Sequence, residues 1–160
     1  MITPYFARSE FTCRCGCGLA DPHPALVVGL QELREIIRVP IQINSGSRCT
    51  AHNAAVGGAP SSMHLPRADL GGYTCAADIT TSRPLIQVYD FASRIEWFAE
   101  GGIAAYVRGY AAWLHLDVRG VLGLREPWRQ GYIDGNEVSI EAALMEDERR
   151  RALKSKEAVS

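Results

Sequence analysis

The stretch WLHLDVR, residues 113–119, sets an imidazole, a carboxylate and a guanidinium at every second position. In an extended strand, Trp113, His115, Asp117 and Arg119 share one face and Leu114, Leu116 and Val118 the other. Such a polar row is either an exposed face with a surface ion pair or the wall of a cleft, because polar groups are costly to bury without partners. Trp113 in the row argues for the cleft. Two residues of matching chemistry lie upstream: His64 at the end of the loop GGAPSSMH, and Asp78 in the short strand CAADITT. Ala77 and Ile79 take one face of that strand, Asp78 and Thr80 the other. Two histidines and one carboxylate are a common ligand set for catalytic zinc, with bonds of roughly 2.0–2.2 Å and a fourth position left to water. Asp69 lies nearer to His64 and is the rival carboxylate. Asp78 is preferred because a strand holds a ligand rigidly.

These residues need elements to position them. DPHPALVVGLQELREIIRVP reads as a helix: Leu26, Leu30, Leu33 and Ile37 recur at helical spacing, Pro24 suits a first turn and Pro40 lies beyond the end. IQINSG alternates as a half-buried strand, and HNAAVGGAP is a short helical turn running into a Gly/Pro loop. From Pro84 to Glu100, Leu85, Val88, Ala92, Ile95 and Phe98 predict one amphipathic helix ended by Gly101-Gly102. IAAYVRGY and WLHLDVRG predict two antiparallel strands. The expected architecture is α+β: a small, mostly antiparallel sheet with helices packed on one face. Residues 1–135 are expected to form the domain and 136–160 a helical, charged C-terminal tail that frays into solvent.

At 160 residues the chain is long enough for one domain with a real core. A net charge of −1 removes the electrostatic case for a nucleic-acid partner. No apolar run approaches the roughly 18 residues of a membrane span. The start, MITPYFARSEFT, lacks the pattern of a secretory signal peptide, so synthesis in the cytoplasm is expected. A monomer is also expected.

The five cysteines are Cys13, Cys15, Cys17, Cys49 and Cys75. Three within FTCRCGCG cannot easily bridge one another. They either gather with Cys49 or Cys75 around a metal or a disulfide, or stay as reduced small hydrophobes. A cysteine peptidase built on Cys75 lacks any feature marking an activated thiolate. His23, between two prolines, reads as a surface residue at a helix start. Tyr106, Tyr110 and Trp113 either line a cleft or pack in the core. DERRRALKSK reads as a solvated helix end.

Taken together, EFTCRCGCG, LQELREII, INSGSRCTAHNAAVGGAPSSMH, AADI and WLHLDVR make residues 5–120 resemble the zinc D-Ala-D-Ala carboxypeptidase superfamily, peptidoglycan peptidases that share the hedgehog-type fold. The family's Ser-Gly-x-Arg turn reads Ser45-Gly46-Ser47-Arg48, its Ser-x-His reads Ser62-Met63-His64, and Ala76-Ala77-Asp78 match a third motif, with Cys75 where a basic residue is usual. The resemblance implies His64, Asp78 and His115 as zinc ligands and Arg48 as the group that binds and polarises a substrate carbonyl or carboxylate. Ser62 and Trp113 are expected as further substrate contacts, while His52 is read as structural, with contact to substrate the alternative that its place near the arginine turn allows. Asp117 becomes the candidate for the general base or for a residue that orients His115. Many relatives carry Glu three residues before the last histidine, where this chain has Ala112. Their His and Asp are seven apart, whereas fourteen positions separate His64 from Asp78, so a loop is inserted between two ligands. The implied activity is zinc-dependent hydrolysis of peptidoglycan stem peptides. A cell-wall hydrolase without a signal peptide suits a phage or prophage lysin, released by a holin or carried on a virion. The alternatives are a non-catalytic zinc module and a phage structural protein.

Overall fold

The computed structural model describes residues 2–124 and 126–158. The first helix, α1 (Pro24–Ile37), is capped by His23, whose Nδ1 accepts from Ala25 N–H. It ends at Arg38 in the left-handed region, and its stripe of Leu26, Leu30, Leu33 and Ile37 is fully buried. Strand β1 (Gln42–Ser45) leads into the short helix α2 (Thr50–Ala55), and β2 (Ala76–Thr80) follows the long loop. The helix expected over 84–100 is broken at Ser93–Ile95 into α3 (Leu85–Ala92) and α4 (Glu96–Ala99). Its buried stripe survives the break, since Ala92, Ile95 and Phe98 remain in the core at i+3 spacing.

Next come β3 (Gly102–Arg108) and β4 (Ala111–Asp117), the expected antiparallel hairpin. Two further strands went unforeseen: β5 (Trp128–Ile133) pairs parallel with β3, and β6 (Asn136–Val138) closes the edge. The sheet runs β1-β2-β4-β3-β5-β6, mostly antiparallel, as an α+β fold.

Its two faces differ in kind. Ala77, Ile79, Ile103, Ala105, Val107, Leu114 and Leu116 form one core with the buried stripes of α1, α3 and α4. The opposite face carries Asp78, Trp113, His115 and Asp117, the alternation predicted for these strands. The charged C-terminal segment is helical, as expected, but not a solvated tail in its first half. Helix α5 (Ile140–Glu157) buries Ile140, Ala143 and Leu144 in the same core. Buried Asp147 accepts from the backbone N–H of Leu85 at 2.9 Å and from Arg151 Nε at 2.9 Å. The weak apolar stripe concealed this docking, because it occupies little more than the first turn. Among the described residues no helix is long and apolar enough to cross a membrane.

Candidate metal centre

Asp78 and His115 are direct cross-strand partners in the β2–β4 ladder, so sheet register alone sets carboxylate beside imidazole. His64 joins them from the loop after α2. That loop is fixed by Arg48 N–H donating to His64 O at 2.8 Å and by Cys75 N–H donating to Met63 O at 2.8 Å. The intervening insertion closes on itself through an Arg67–Tyr73 bridge and a 3-10 turn over Ala68–Leu70. Fourteen residues therefore deliver the two ligands to one point with their flanks hydrogen-bonded together.

His64 Nε2 lies 3.2 Å from Asp78 Oδ1 and 3.2 Å from His115 Nδ1, and His115 Nδ1 lies 3.0 Å from Asp78 Oδ1. Each of the three is held from behind. His64 Nδ1 donates to Gly46 O at 2.7 Å, which turns the Nε2 lone pair inward. His115 Nε2 donates to Asp117 Oδ2 at 3.1 Å, which leaves Nδ1 facing the triangle. The outer oxygen of Asp78 accepts from Arg48 Nη2 at 2.5 Å, leaving Oδ1 to the centre. Three acceptor atoms thus converge, and they are compatible only with a shared proton or a cation between them. Tetrahedral zinc with bonds of roughly 2.0–2.1 Å sets neighbouring ligand atoms about 3.3 Å apart. The observed triangle fits that ion closely.

The titration behaviour agrees. Burial dominates at His64 and lowers its pKa, keeping the imidazole neutral. Burial would also lower His115, but its hydrogen bonds to Asp117 and Asp78 outweigh this and raise it to about 9. Burial opposes ionisation of Asp78 and Asp117. The adjoining imidazoles, with Arg119 for Asp117, nevertheless hold both carboxyls far below the usual range.

Asp117, expected either as a general base or as an orienter of His115, is enclosed on every side. It is 0% exposed. Its oxygens receive Gly102 N–H at 3.0 Å, Arg119 N–H at 3.0 Å, Arg119 Nη2 at 2.6 Å and His115 Nε2. With both oxygens engaged and no exposure to solvent, Asp117 is arranged for the second of its two expected roles, orienting His115, rather than for taking a proton from a reacting water. Gly102 is required opposite it, because a Cβ there would collide with Asp117 Oδ2. Arg119 also lies over the ring of Trp128, its guanidinium carbon 4.7 Å from the ring centroid.

Of the other expected residues, Arg48 stands at the rim with its Nε anchored on Ser45 Oγ at 2.8 Å. Ser62 uses its hydroxyl to accept from His64 N–H at 3.3 Å and lines a surface groove with Pro60 and Leu65. Trp113 belongs to a stacked row on the open face: its ring is 5.2 Å from that of Tyr106, which is 4.6 Å from Tyr132. Trp128 meets His115 edge-on at 5.9 Å. Tyr110 turns instead to Glu157 of α5. Asp69 is exposed and paired with Arg67, away from the triangle. Cys75 is fully buried, and burial raises its thiol to about 11, the opposite of an activated nucleophile.

A sequence model described as Peptidase M15 matches residues 4–117. The chain belongs to the peptidase M15 family. No curated protein and no solved structure matches it. M15 peptidases are zinc-dependent, and the matched segment contains all three residues of the triangle together with Arg48 and Asp117. The match stops where β4 ends, so β5, β6 and α5 lie outside it. Trp128 therefore joins the surroundings of the site from outside the matched stretch. Gly46 was visible only as part of the Ser-Gly-x-Arg motif, and Gly102 only in the Gly101-Gly102 pair, which reads equally well as a helix stop.

Proposed function

We propose that this M15 family member is a zinc peptidase acting on peptidoglycan stem peptides, with His64, Asp78 and His115 as the zinc ligands. The observation that carries the reading is the triangle itself: three lone-pair atoms 3.0–3.2 Å apart, each locked from behind by a separate partner. When bound, zinc supplies Lewis acidity at the scissile carbonyl and lowers the pKa of a water. The chain's own residues do the rest. Asp117 holds His115 in one tautomer, and Gly46 does the same for His64. Arg48 orients Asp78 and presents a fixed positive charge at the rim, suited to the carboxylate of a stem peptide or to the negative charge that develops at the carbonyl. Trp113, Tyr106 and Tyr132 offer a flat apolar wall for the extended substrate. A phage or prophage lysin is the setting that suits such an activity.

A second reading, a zinc module without hydrolysis, draws on one observation: position 112 is Ala and Asp117 is sealed, so neither position presents a carboxylate to the open side. Incubating the zinc-loaded protein with peptidoglycan, and identifying released fragments by mass spectrometry beside a chelated control, separates the two. Chelator-sensitive release of D-alanine or stem peptides establishes the peptidase and names the bond. No release from several wall types leaves the non-catalytic module.

A further inference from the structure

The loop that precedes α1 runs Thr-Cys-Arg-Cys-Gly-Cys-Gly, and none of its cysteines takes part in the site above. The fold brings Cys49, the residue capping α2, against it. The sulfurs of Cys13, Cys15, Cys17 and Cys49 all lie within 4.8 Å of one another. We propose that these four cysteines bind a second divalent metal ion of the zinc class as a closed tetrathiolate site, which fastens the N-terminal loop to the turn carrying Arg48.

Several independent features favour an ion over disulfides. Cys15 Sγ is 3.4 Å from Cys13 Sγ and 3.6 Å from Cys49 Sγ. A sulfur placed nearly equally between two others can bond to only one of them at the roughly 2.05 Å of a disulfide. One central ion serves all four, and a zinc–sulfur bond of roughly 2.3 Å sets tetrahedral sulfurs about 3.8 Å apart. Backbone amides already point at the sulfurs: Cys49 N–H donates to Cys13 Sγ at 3.4 Å and His52 N–H to Cys49 Sγ at 3.4 Å. Such donors favour the thiolate form that a metal requires.

The loop is also shaped to turn its sulfurs inward. Gly16 and Gly18, which follow Cys15 and Cys17, have φ of 83° and 82°, a conformation that side-chain-bearing residues resist. Cys13 N–H donates to Leu19 O at 2.7 Å and closes the loop. Arg14 fixes it to β1 through Ile43 O at 2.7 Å and Asn44 O at 3.1 Å. Cys75, the fifth cysteine, is buried in the core apart from the cluster, which accounts for the odd count.

The position gives the ion a purpose. Cys49 directly follows Arg48, whose N–H holds His64 O and whose guanidinium holds Asp78. Ser47 N–H bonds Phe11 O at 2.9 Å in the same joint. Binding displaces the thiol protons to solvent, and no oxidant is involved.

The first test is the zinc content of protein purified under reducing conditions, with reactive thiols counted before and after denaturation in chelator. Two zinc ions per chain are expected, with the four clustered thiols unreactive until denaturation. Cobalt substitution adds the intense sulfur-to-metal charge-transfer absorption of a tetrathiolate, which a His/Asp/His site cannot produce. The variant C15S/C17S, altered at two exposed positions, should drop to one ion and lose that absorption. A single ion per chain with freely reacting thiols overturns the proposal, as does an intact mass showing the four cysteines joined in disulfides. Neither result touches the His64–Asp78–His115 site, whose zinc is counted separately by the absence of sulfur absorption.

Discussion

Replacing Asp117 by Asn separates two roles for this residue. The change is nearly isosteric and removes the charge that fixes His115 Nε2–H. A hydrogen bond to a charged group contributes about 1.5–3 kcal/mol, which is roughly 10- to 100-fold in an equilibrium constant. The lost bond, 3.1 Å between His115 Nε2 and Asp117 Oδ2, belongs to this class and is fully shielded from water. Zinc should therefore bind D117N about 10- to 100-fold more weakly in a chelator-competition titration. With zinc saturating, the turnover measured by release of peptidoglycan fragments should fall by less than about 10-fold. General bases behave oppositely: their removal costs roughly 10²- to 10⁴-fold in rate and leaves metal affinity alone. An unchanged zinc affinity joined to a collapse in turnover would falsify the positioning role and return Asp117 to the chemistry.

Other outcomes follow from the same geometry. With the His115 pKa at about 9 in the metal-free protein, zinc binding to the His64–Asp78–His115 triangle near pH 7, measured in the C15S/C17S variant, should release close to one proton, seen as a calorimetric heat that varies with buffer ionisation enthalpy; a heat independent of buffer refutes it. Because that value lies above the unfolded 6.5, the stability His115 contributes to the zinc-free fold is complete below about pH 6.5 and lost as pH rises through about 9. The depressed carboxyls Asp78 and Asp117 contribute stability above about pH 4 that is lost on further acidification, so denaturation midpoints should peak between these limits. Asp78→Ala should abolish zinc binding at this site, while Asp69→Ala, at an exposed pair, should leave both the denaturation midpoint and that zinc essentially unchanged. Arg48→Ala should lower kcat/KM roughly 100-fold, with a smaller loss of zinc affinity through Asp78. Asp147→Ala leaves the Leu85 N–H buried and unpartnered and should cost about 2–3 kcal/mol in urea denaturation.

The metal triangle was legible because its evidence is periodic or typological. Alternation in residues 113–119 set His115 and Asp117 on one face, and the strand around Asp78 made it the preferred candidate over Asp69. Register, which makes Asp78 and His115 neighbours, is not a property of either strand alone and had to come from the fold. Strand β5 stayed hidden because Trp-Arg-Gln-Gly-Tyr-Ile has neither clean alternation nor an apolar run. The break between α3 and α4 was invisible since the buried stripe continues across it. The sealing of Asp117 depends on Gly102 and on Arg119 folding back, two contacts that no spacing rule contains. The sequence left Cys49 and Cys75 as equal partners for the loop cysteines, and only the packing of α2 against residues 13–17 chose between them.

The boundary at residue 117 divides this molecule by job. Everything that grips the metal triangle belongs to the stretch shared with the family, apart from Arg119, which lies just past it. Of the aromatic row, Tyr132 and the neighbouring Trp128 come from the appended parallel strand. β5 also occupies an edge of β3 that would otherwise present bare amides and carbonyls to any passing chain. A single strand beyond the matched stretch thus both covers the exposed edge of β3 and sets aromatic rings beside the metal triangle.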